Sequence, residues 1–423
     1  MSSPLLRHAR VLAFGILCGL TSGVGQTFFI SLFVPDCESR FDLTKTQFSS
    51  VYSVCTILSA FLLPWVGARI DRIPVRRFFW QACALLVVGS VLCATAPALV
   101  FFVPGLFLLR FAGQGLCSHT WNTSVSRFFV QARGRALGIA SLGHPLSEAV
   151  FPVAVTALTA AASVTTGWAA VGVFALLVSV PLSWWLLSPY DTSPGQFQQP
   201  SEEWQSTSTS TDNSTDDDVV TPVSWTRMDV FTDLRTWLML PSWFAPGFFL
   251  TGLFFHQLVL AKEMTWTPKY LASCFVAFGI SRAVGSFSGG FFTDALGARV
   301  MVIVQTLPLT LALSLFAVSN DAWVAVGYLS LSGFGIGLGS SARTTFLADR
   351  FGTLHLGAIR SLMMPIGVLA TAIAPPIIGV LLDADVSFVT INSWSAALLA
   401  ALTVMCALGV AAFGAAGAPR RLR

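Results

Sequence analysis

The stretch Gly67-Ala-Arg-Ile-Asp71-Arg72-Ile-Pro-Val-Arg76-Arg77 has a partner later in the chain, Gly290-Phe-Phe-Thr-Asp294-Ala-Leu-Gly297-Ala-Arg299. A single ungapped shift of 223 residues, from 67 to 290, lays Asp71 on Asp294 and Arg76 on Arg299. The same shift lays Arg127-Phe128 on Arg350-Phe351, Gly134 on Gly357 and Pro152 on Pro375. Chance does not align charge and chain punctuation together at one offset. The chain is therefore expected to hold two parallel copies of one unit, related by an axis along the membrane normal if the unit is membranous.

Composition makes it membranous. Of 423 residues, 54% are apolar and only 10% charged, against about 25% charged in a soluble domain. A water-facing surface lacks its polar coat at that level, so a soluble globular protein is excluded. At about 20 apolar residues per spanning helix, the length leaves room for roughly ten to fourteen spans and no separate soluble catalytic domain. The basic start at Arg7 and Arg10 resembles a secretory signal, but the apolar run from Val11 to Val34 is too long for one and lacks an A-x-A-like site. It reads as the first span. Later spans are predicted near 46–66, 78–96, 98–125, 136–160 and 168–187, then 237–260, 270–292, 300–318, 322–342, 357–382 and 393–416. The fold expected is an all-α membrane protein of twelve transmembrane helices in two parallel six-helix bundles. Residues 1–187 form the first bundle and 237–423 the second.

With the N-terminus inside, eighteen cations, Arg343 among them, fall on the cytoplasmic side and four, Arg40, Lys45, Lys262 and Lys269, fall outside. That bias requires an even span count with both termini cytoplasmic, and it fits the plasma membrane. The polar stretch 188–236 contains STSTSTDNSTDDD and nine acids against two arginines. Too little apolar surface is present to offset ordering entropy, so it reads as a disordered cytoplasmic linker. Its Asn213 sequon should be silent there. Seven of the eight cysteines lie in apolar runs and no CxxC pair occurs, which supports neither a disulfide framework nor a metal site.

The Gly67–Arg77 loop resembles the G-x-x-x-D-R-x-G-R-R loop of the major facilitator superfamily. Gly290–Arg299 resembles its second-half echo, and Arg110-Phe-Ala-Gly113-Gln114-Gly115 the fourth-helix R-x-x-x-G signature. The resemblance covers the whole chain and implies a secondary transporter with its substrate site between the halves. It also implies that Gly67, Asp71, Arg72, Arg76, Arg77, Gly290, Asp294, Gly297 and Arg299 form a latch that stabilises one access state. Independently of any family, glycine lets a helix end approach its neighbour, the Asp accepts from N–H groups at a helix N-terminus, and the arginines anchor at phosphate. The rival reading of these arginines is topology alone.

A charge at mid-span costs about 2.5–3.5 kcal/mol on insertion scales, so a surviving one has a partner or a task. Three qualify: Arg110, Arg282 and Glu148. At 1.5 Å per residue both arginines sit about 18 Å from the outer ends of their spans, close to the midplane. The repeat shift maps neither onto the other. Two guanidiniums at one depth suit a planar carboxylate or phosphate, which makes a small organic anion the expected substrate. Phe278-Gly-Ile-Ser-Arg282, His256-Gln257 and the Arg127–Gly138 segment resemble bacterial monocarboxylate transporters and oxalate/formate antiporters. In those relatives an eighth-helix Arg binds the carboxylate.

For Glu148 two readings stay open: a permanent ion pair with Arg110, or a proton site that alternates between apolar burial and an arginine neighbour, coupling protonation to conformation. His144, one turn before Glu148 on the same face, is a candidate second proton carrier. Its rival role is a helix-to-helix hydrogen bond, as for His119 and His256. Gln26 and Gln114 are candidate neutral cavity partners, with helix packing the rival. Gly335-x-Gly337-x-Gly339 looks like a nucleotide loop but lies in an apolar helix and reads as close packing. No Walker motif occurs and the cations decorate a membrane surface, so neither nucleotide nor nucleic acid is expected as a partner. No cofactor, metal or catalytic cluster is expected, and the chain is read as a monomeric carrier, not an enzyme. Its partners are the bilayer, a small anionic substrate and a proton or exchanged anion. The alternative is a proton-coupled exporter of drug-like metabolites with Glu148 as cation partner. A loose antiporter echo at Gly138-x4-Gly143-His-Pro145 supports that alternative.

Overall fold

A computed structural model describes residues 4–129, 132–194, 196–197, 225–352 and 356–415. It is helical throughout, with ten helices long and apolar enough to cross a membrane and an eleventh span made by a bent pair. In the first half, α1 (Ala9–Gly25) bends by 46° and continues as Thr27–Phe41. It is followed by α2 (Lys45–Asp71), α3 (Val75–Thr95) and α4 (Leu99–Phe128). The next two are α5 (Arg133–Ala140, then Gly143–Ala161) and α6 (Val164–Leu187). In the second half α7 (Leu234–Phe255) runs on as Gln257–Glu263. Then come α8 (Pro268–Leu296), α9 (Ala298–Ala317), α10 (Trp323–Phe351), α11 (Leu356–Asp383) and α12 (Phe388–Ala415). With α5, which is not one of those eleven by length and composition, two sets of six helices result, as the repeat requires.

Local chemistry fixes the ends and the breaks. Thr44 accepts from Gln47 N while the Gln47 side chain accepts from Thr44 N, a reciprocal cap that starts α2. Gln26 is extended (φ −86°, ψ 160°) at the bend of α1. A broken helix at membrane depth is tolerated only where protein or a cavity satisfies its backbone. Here the Gly25 carbonyl accepts from Arg110 Nη1 at 2.6 Å. Gly25 and Gly113 allow that approach, because a Cβ on Gly113 would come within 2.7 Å of the Gly25 backbone. Next to the crossing, α4 widens into a π-helical turn over Arg110–Cys117, a distortion frequent at functional sites.

The halves meet along two seams, α2 against α11 and α5 against α8. Contacts across them gather at the end of the bundle opposite the linker. Asp383 at the end of α11 accepts from Thr46 N (2.9 Å) and Lys45 N (3.3 Å) at the start of α2, with Lys45 Nζ 3.6 Å away. Ser53 Oγ donates to the Ala372 carbonyl. Gln257 Nε2 donates to Ser31 Oγ at 2.7 Å, and Tyr52 lies 4.6 Å from the Phe255 ring. That end is closed, and the linker end holds the cavities described below.

The linker departs from the sequence reading at both edges. Thr192 O accepts from Val75 N at 3.0 Å, and Tyr190 and Phe197 set their rings 5.4 and 5.1 Å from Phe128. At the other edge Trp225 N donates to Phe351 O at 2.9 Å, with the rings 5.3 Å apart, before a capped turn of helix over Arg227–Thr232. Aromatic side chains in an otherwise polar run supply the apolar area that orders these edges. They dock on Phe128 and Phe351, the repeat-equivalent Arg-Phe corners. The serine/threonine run, the Asn213 sequon and Arg420, Arg421 and Arg423 lie outside the described residues.

Because Gly113 and Gly25 meet backbone to backbone, Gly113→Val should lower the stability of the purified protein by about 1–3 kcal/mol through overpacking. A thermal melt in detergent that leaves the midpoint unchanged would contradict the close crossing.

Candidate functional site

Two cavities open between the halves toward the linker end and share Asn122 of α4 as a wall. One, of about 460 Å³, is lined by Thr56 and Ser59 of α2, Gln114 and His119 of α4, His144 of α5 and Val368 of α11. The other, of about 590 Å³, is lined by Trp243 and Phe244 of α7, Ile336 and Arg343 of α10, and Met363 and Thr371 of α11. Together they draw on both halves. Among the described residues neither lining contains Asp or Glu. Two buried indole donors beside them, Trp121 Nε1 and Trp243 Nε1, have no partner among the described residues. Buried polar atoms left unpaired in a cavity wall are positioned to meet a ligand or water.

Arg282 reaches from α8 across the seam to Glu148 on α5 and forms an ion pair with its Oε1. The carboxylate is almost wholly covered, and its Oε2 has no partner among the described residues. Small residues make the reach possible. A Cβ on Gly279, one turn before Arg282, would stand 3.0 Å from Ala149 Cβ on α5. The sequence reading that pairs Glu148 with Arg110 is thereby corrected. Arg110 is 1% exposed and stays within the first half. It donates from Nε to Thr56 Oγ1 at 3.1 Å and from Nη1 to the Gly25 carbonyl, with its guanidinium 4.5 Å from the Tyr52 ring centroid. Neutral acceptors and a π face take the place of a carboxylate. The two arginines do not line one common pocket in this conformation. Arg110 lies behind Thr56 and Arg282 lies at the seam.

The other predicted site residues divide. Gln114 and His144 line the smaller cavity, His144 edge-on to Trp121 at 5.9 Å. Gln26 donates to Ser22 Oγ at 3.1 Å, which in turn bonds Ser118 Oγ at 2.8 Å, so it braces α1 against α4. His256 is buried, with Nε2 3.0 Å from the Pro375 carbonyl, and lies outside both cavities. In the loop after α2, Asp71 pairs with Arg127 at the end of α4 instead of a helix N-terminus. Gly67 packs on the His119 ring, Arg76 lies over Trp80 at 5.5 Å, and Arg72 and Arg77 are exposed. In the second loop Gly290 has open space around it, and Asp294 and Arg299 are exposed. Gly297 turns the chain at φ +83°, a conformation that favours glycine.

One cavity residue escaped the sequence reading. Arg343 counts there as a cytoplasmic cation after a span ending at 342, yet α10 continues to Phe351. Arg343 therefore lies more than two turns inside the helix. Its one hydrogen bond among the described residues is from Nη1 to Gln305 Oε1 of α9, at 3.0 Å. The available signal was the absence of any helix stop between Gly339 and Gly352.

Comparison with known proteins gives three findings. The family model described as Major Facilitator Superfamily matches residues 15–264. An "MFS-type transporter" of Gibberella moniliformis (strain M3125 / FGSC 7600) is 22% identical over 408 residues, covering 93% of this chain and 88% of its own. Among solved structures, a bacterial homolog of the human lysosomal transporter Spinster, inward-facing and unoccupied, superposes with a TM-score of 0.67 at 13% identity. It covers 98% of this chain and 97% of that one. A variant of the nucleoside transporter NupG gives 0.68 at 12% identity, covering 96% and 99%. At these identities the two structures speak to the fold alone.

The eight native cysteines are all buried, so introduced thiols report cleanly. In the conformation described, Asn122→Cys should react with a water-soluble maleimide and Ser53→Cys, under the closed end, should not. Equal labelling of both, scored by a gel mass shift, would contradict the one-sided opening.

Proposed function

Since the chain belongs to the Major Facilitator Superfamily, we propose that it moves a small organic anion, a carboxylate, across the plasma membrane by alternating access, coupled to a proton. The observation that carries the proposal is the ion pair between Arg282 and Glu148, made across the two halves, with Glu148 one turn from His144 in the wall of the smaller cavity. In this reading Arg282 is the anion receptor and Glu148 the resident carboxylate that occupies it when cargo is absent. A proton arriving on Glu148 removes its charge and frees the guanidinium. A substrate carboxylate then takes the vacated place, so proton and anion cross together. Release of the anion leaves Arg282 uncompensated until Glu148 gives up its proton and the pair re-forms. The cost of a lone buried charge enforces that order.

His144, on the face of Glu148 and within the cavity wall, is the proton's route from the linker end. Arg110 enters only if a rearrangement of α1 and α4 exposes it. The latch role of the Gly67–Arg77 and Gly290–Arg299 loops belongs to the same reading, with the Asp71–Arg127 pair holding the first half's loop to α4. The bias of arginine toward the linker end supports cytoplasmic termini, which makes the conformation described inward-open. The monomer is taken as the working unit. Export of drug-like metabolites is the second reading, favoured by the aromatic lining of the larger cavity. The described lining residues of both cavities include no acid, which disfavours cationic cargo.

Proteoliposomes loaded with labelled carboxylates, with and without a pH gradient, test the reading in both directions. Arg282→Gln should reduce carboxylate flux by about tenfold or more, since a charge-assisted bidentate contact is lost. Glu148→Gln should keep carboxylate exchange but lose accumulation driven by the gradient. Intact flux in Arg282→Gln would remove the anion site, and retained accumulation in Glu148→Gln would remove the proton role.

A further inference from the structure

Arg343 is the one formal charge among the described residues that line the larger cavity, and its surroundings are specific. Gly337 of α10 packs on the backbone of Arg282 and Ser286, so α10 and α8 are in register there. Arg343 follows six residues later, about 9 Å nearer the linker end at 1.5 Å per residue. The guanidinium thus lies nearer the linker end than the Arg282–Glu148 pair. Gln305, 1% exposed, holds it by a single acceptor and is itself tied by Nε2 to the Val302 carbonyl at 2.9 Å. Gly339 leaves the room for this, since a Cβ there would come within 2.7 Å of Arg343 Nη1. A guanidinium has five N–H donors in a planar fork. One is used here among the described residues, which leaves a two-donor edge available to a ligand.

The rest of the wall says what kind of ligand. Trp243 presents an indole whose N–H has no partner among the described residues. Phe244, Ile336, Leu347 and Met363 supply apolar surface, and no acid stands among the described lining residues to attract a cation. A volume of about 590 Å³ lies within the range that encloses a drug-sized molecule, roughly 300–1,000 Å³. A two- or three-carbon acid would leave most of that wall unfilled. One guanidinium and one indole N–H match a monoanionic carboxylate, where a phosphate dianion would call for a second cation.

Resting on the anion reading above, we propose that Arg343 and Trp243 form a carboxylate-binding site for an amphipathic organic acid with an aromatic or large apolar body. Arg343 binds the carboxylate in bidentate fashion, Gln305 is its positioning residue, and the Trp243–Phe244 wall takes the body. The site selects cargo by size and apolar character before the carboxylate reaches Arg282.

The test is equilibrium binding to the purified full-length protein in detergent, read by calorimetry, with naphthalene-2-carboxylate, its uncharged carboxamide and acetate as probes. Wild type should bind the naphthoate at least about tenfold more tightly than the carboxamide and acetate. Arg343→Gln should remove that advantage for the naphthoate and leave carboxamide binding unchanged. Arg343→Lys, which keeps the charge without the fork, should fall between, and Gln305→Leu should weaken the naphthoate without touching the receptor itself. Each variant is first required to elute as a single peak on size exclusion, and Arg343→Lys carries the test if Arg343→Gln does not. Naphthoate affinity in Arg343→Gln equal to wild type would overturn the site, as would acetate binding as tightly as naphthoate. Carboxylate flux lost in Arg282→Gln while naphthoate affinity survives in Arg343→Gln would sink this inference alone. Flux intact in Arg282→Gln would sink the anion reading beneath it.

Discussion

A charge inside a bilayer must be neutralised by something within reach, and the Arg282–Glu148 pair meets that demand across a seam. Each partner belongs to a different half of the chain. Neutrality at that depth therefore holds only while α5 and α8 are together, or while a proton or another anion replaces one partner. Conformation, protonation and occupancy are tied to one another by that single constraint. Gly279 against α5 and Gly337 against α8 let the backbones come near enough for the side chains to meet. The helix packing and the charge pairing are parts of one arrangement.

Arg110 shows the contrary solution with the same side chain. Its partners are a backbone carbonyl, a threonine hydroxyl and a tyrosine ring, all in the first half. Rocking of one half against the other leaves those contacts untouched, so Arg110 braces the bend of α1 in every state where the half moves as a body. Arg343 is a third case, held by one amide and lining the larger cavity. Three arginines in one membrane protein differ by their partners: an acid across a seam, neutral groups within a half, and a glutamine beside a cavity.

What the sequence made legible follows from the same distinctions. Repetition at 223 residues and the run of apolar segments disclose two six-helix halves, because both are one-dimensional signals. Depth along a helix is one-dimensional too, and it places Arg110 and Arg282 within helices long and apolar enough to span, and Glu148 within α5. Which of them touch depends on azimuth and on neighbouring helices, and depth alone favoured Arg110 for Glu148 where the fold brings Arg282. Arg343 was missed because hydropathy ends a span where polar residues begin, whereas backbone hydrogen bonding carries α10 on to Phe351. The linker's edges were missed for the opposite reason. Average polarity hid Tyr190, Phe197 and Trp225, whose rings find the Arg-Phe corners of both repeats.

The contacts that close one end are numerous but individually weak. Lys45 and Asp383 are about a third and a quarter exposed, and a solvent-exposed pair of that kind contributes no more than about 1 kcal/mol. The Asp383 carboxylate at the start of α2 adds a contribution of similar size. Stripping a buried ion of its partner costs more, about 3–5 kcal/mol. Shifting a two-state equilibrium from one extreme to the other takes about 5.5 kcal/mol. The rim contacts can therefore open without dominating the balance, while the seam pair, with Glu148 almost wholly covered and Arg282 a quarter exposed, contributes more than any one of them. On the reading proposed for Arg282, its pairing with Glu148 therefore weighs more on access than any single described contact at the rim.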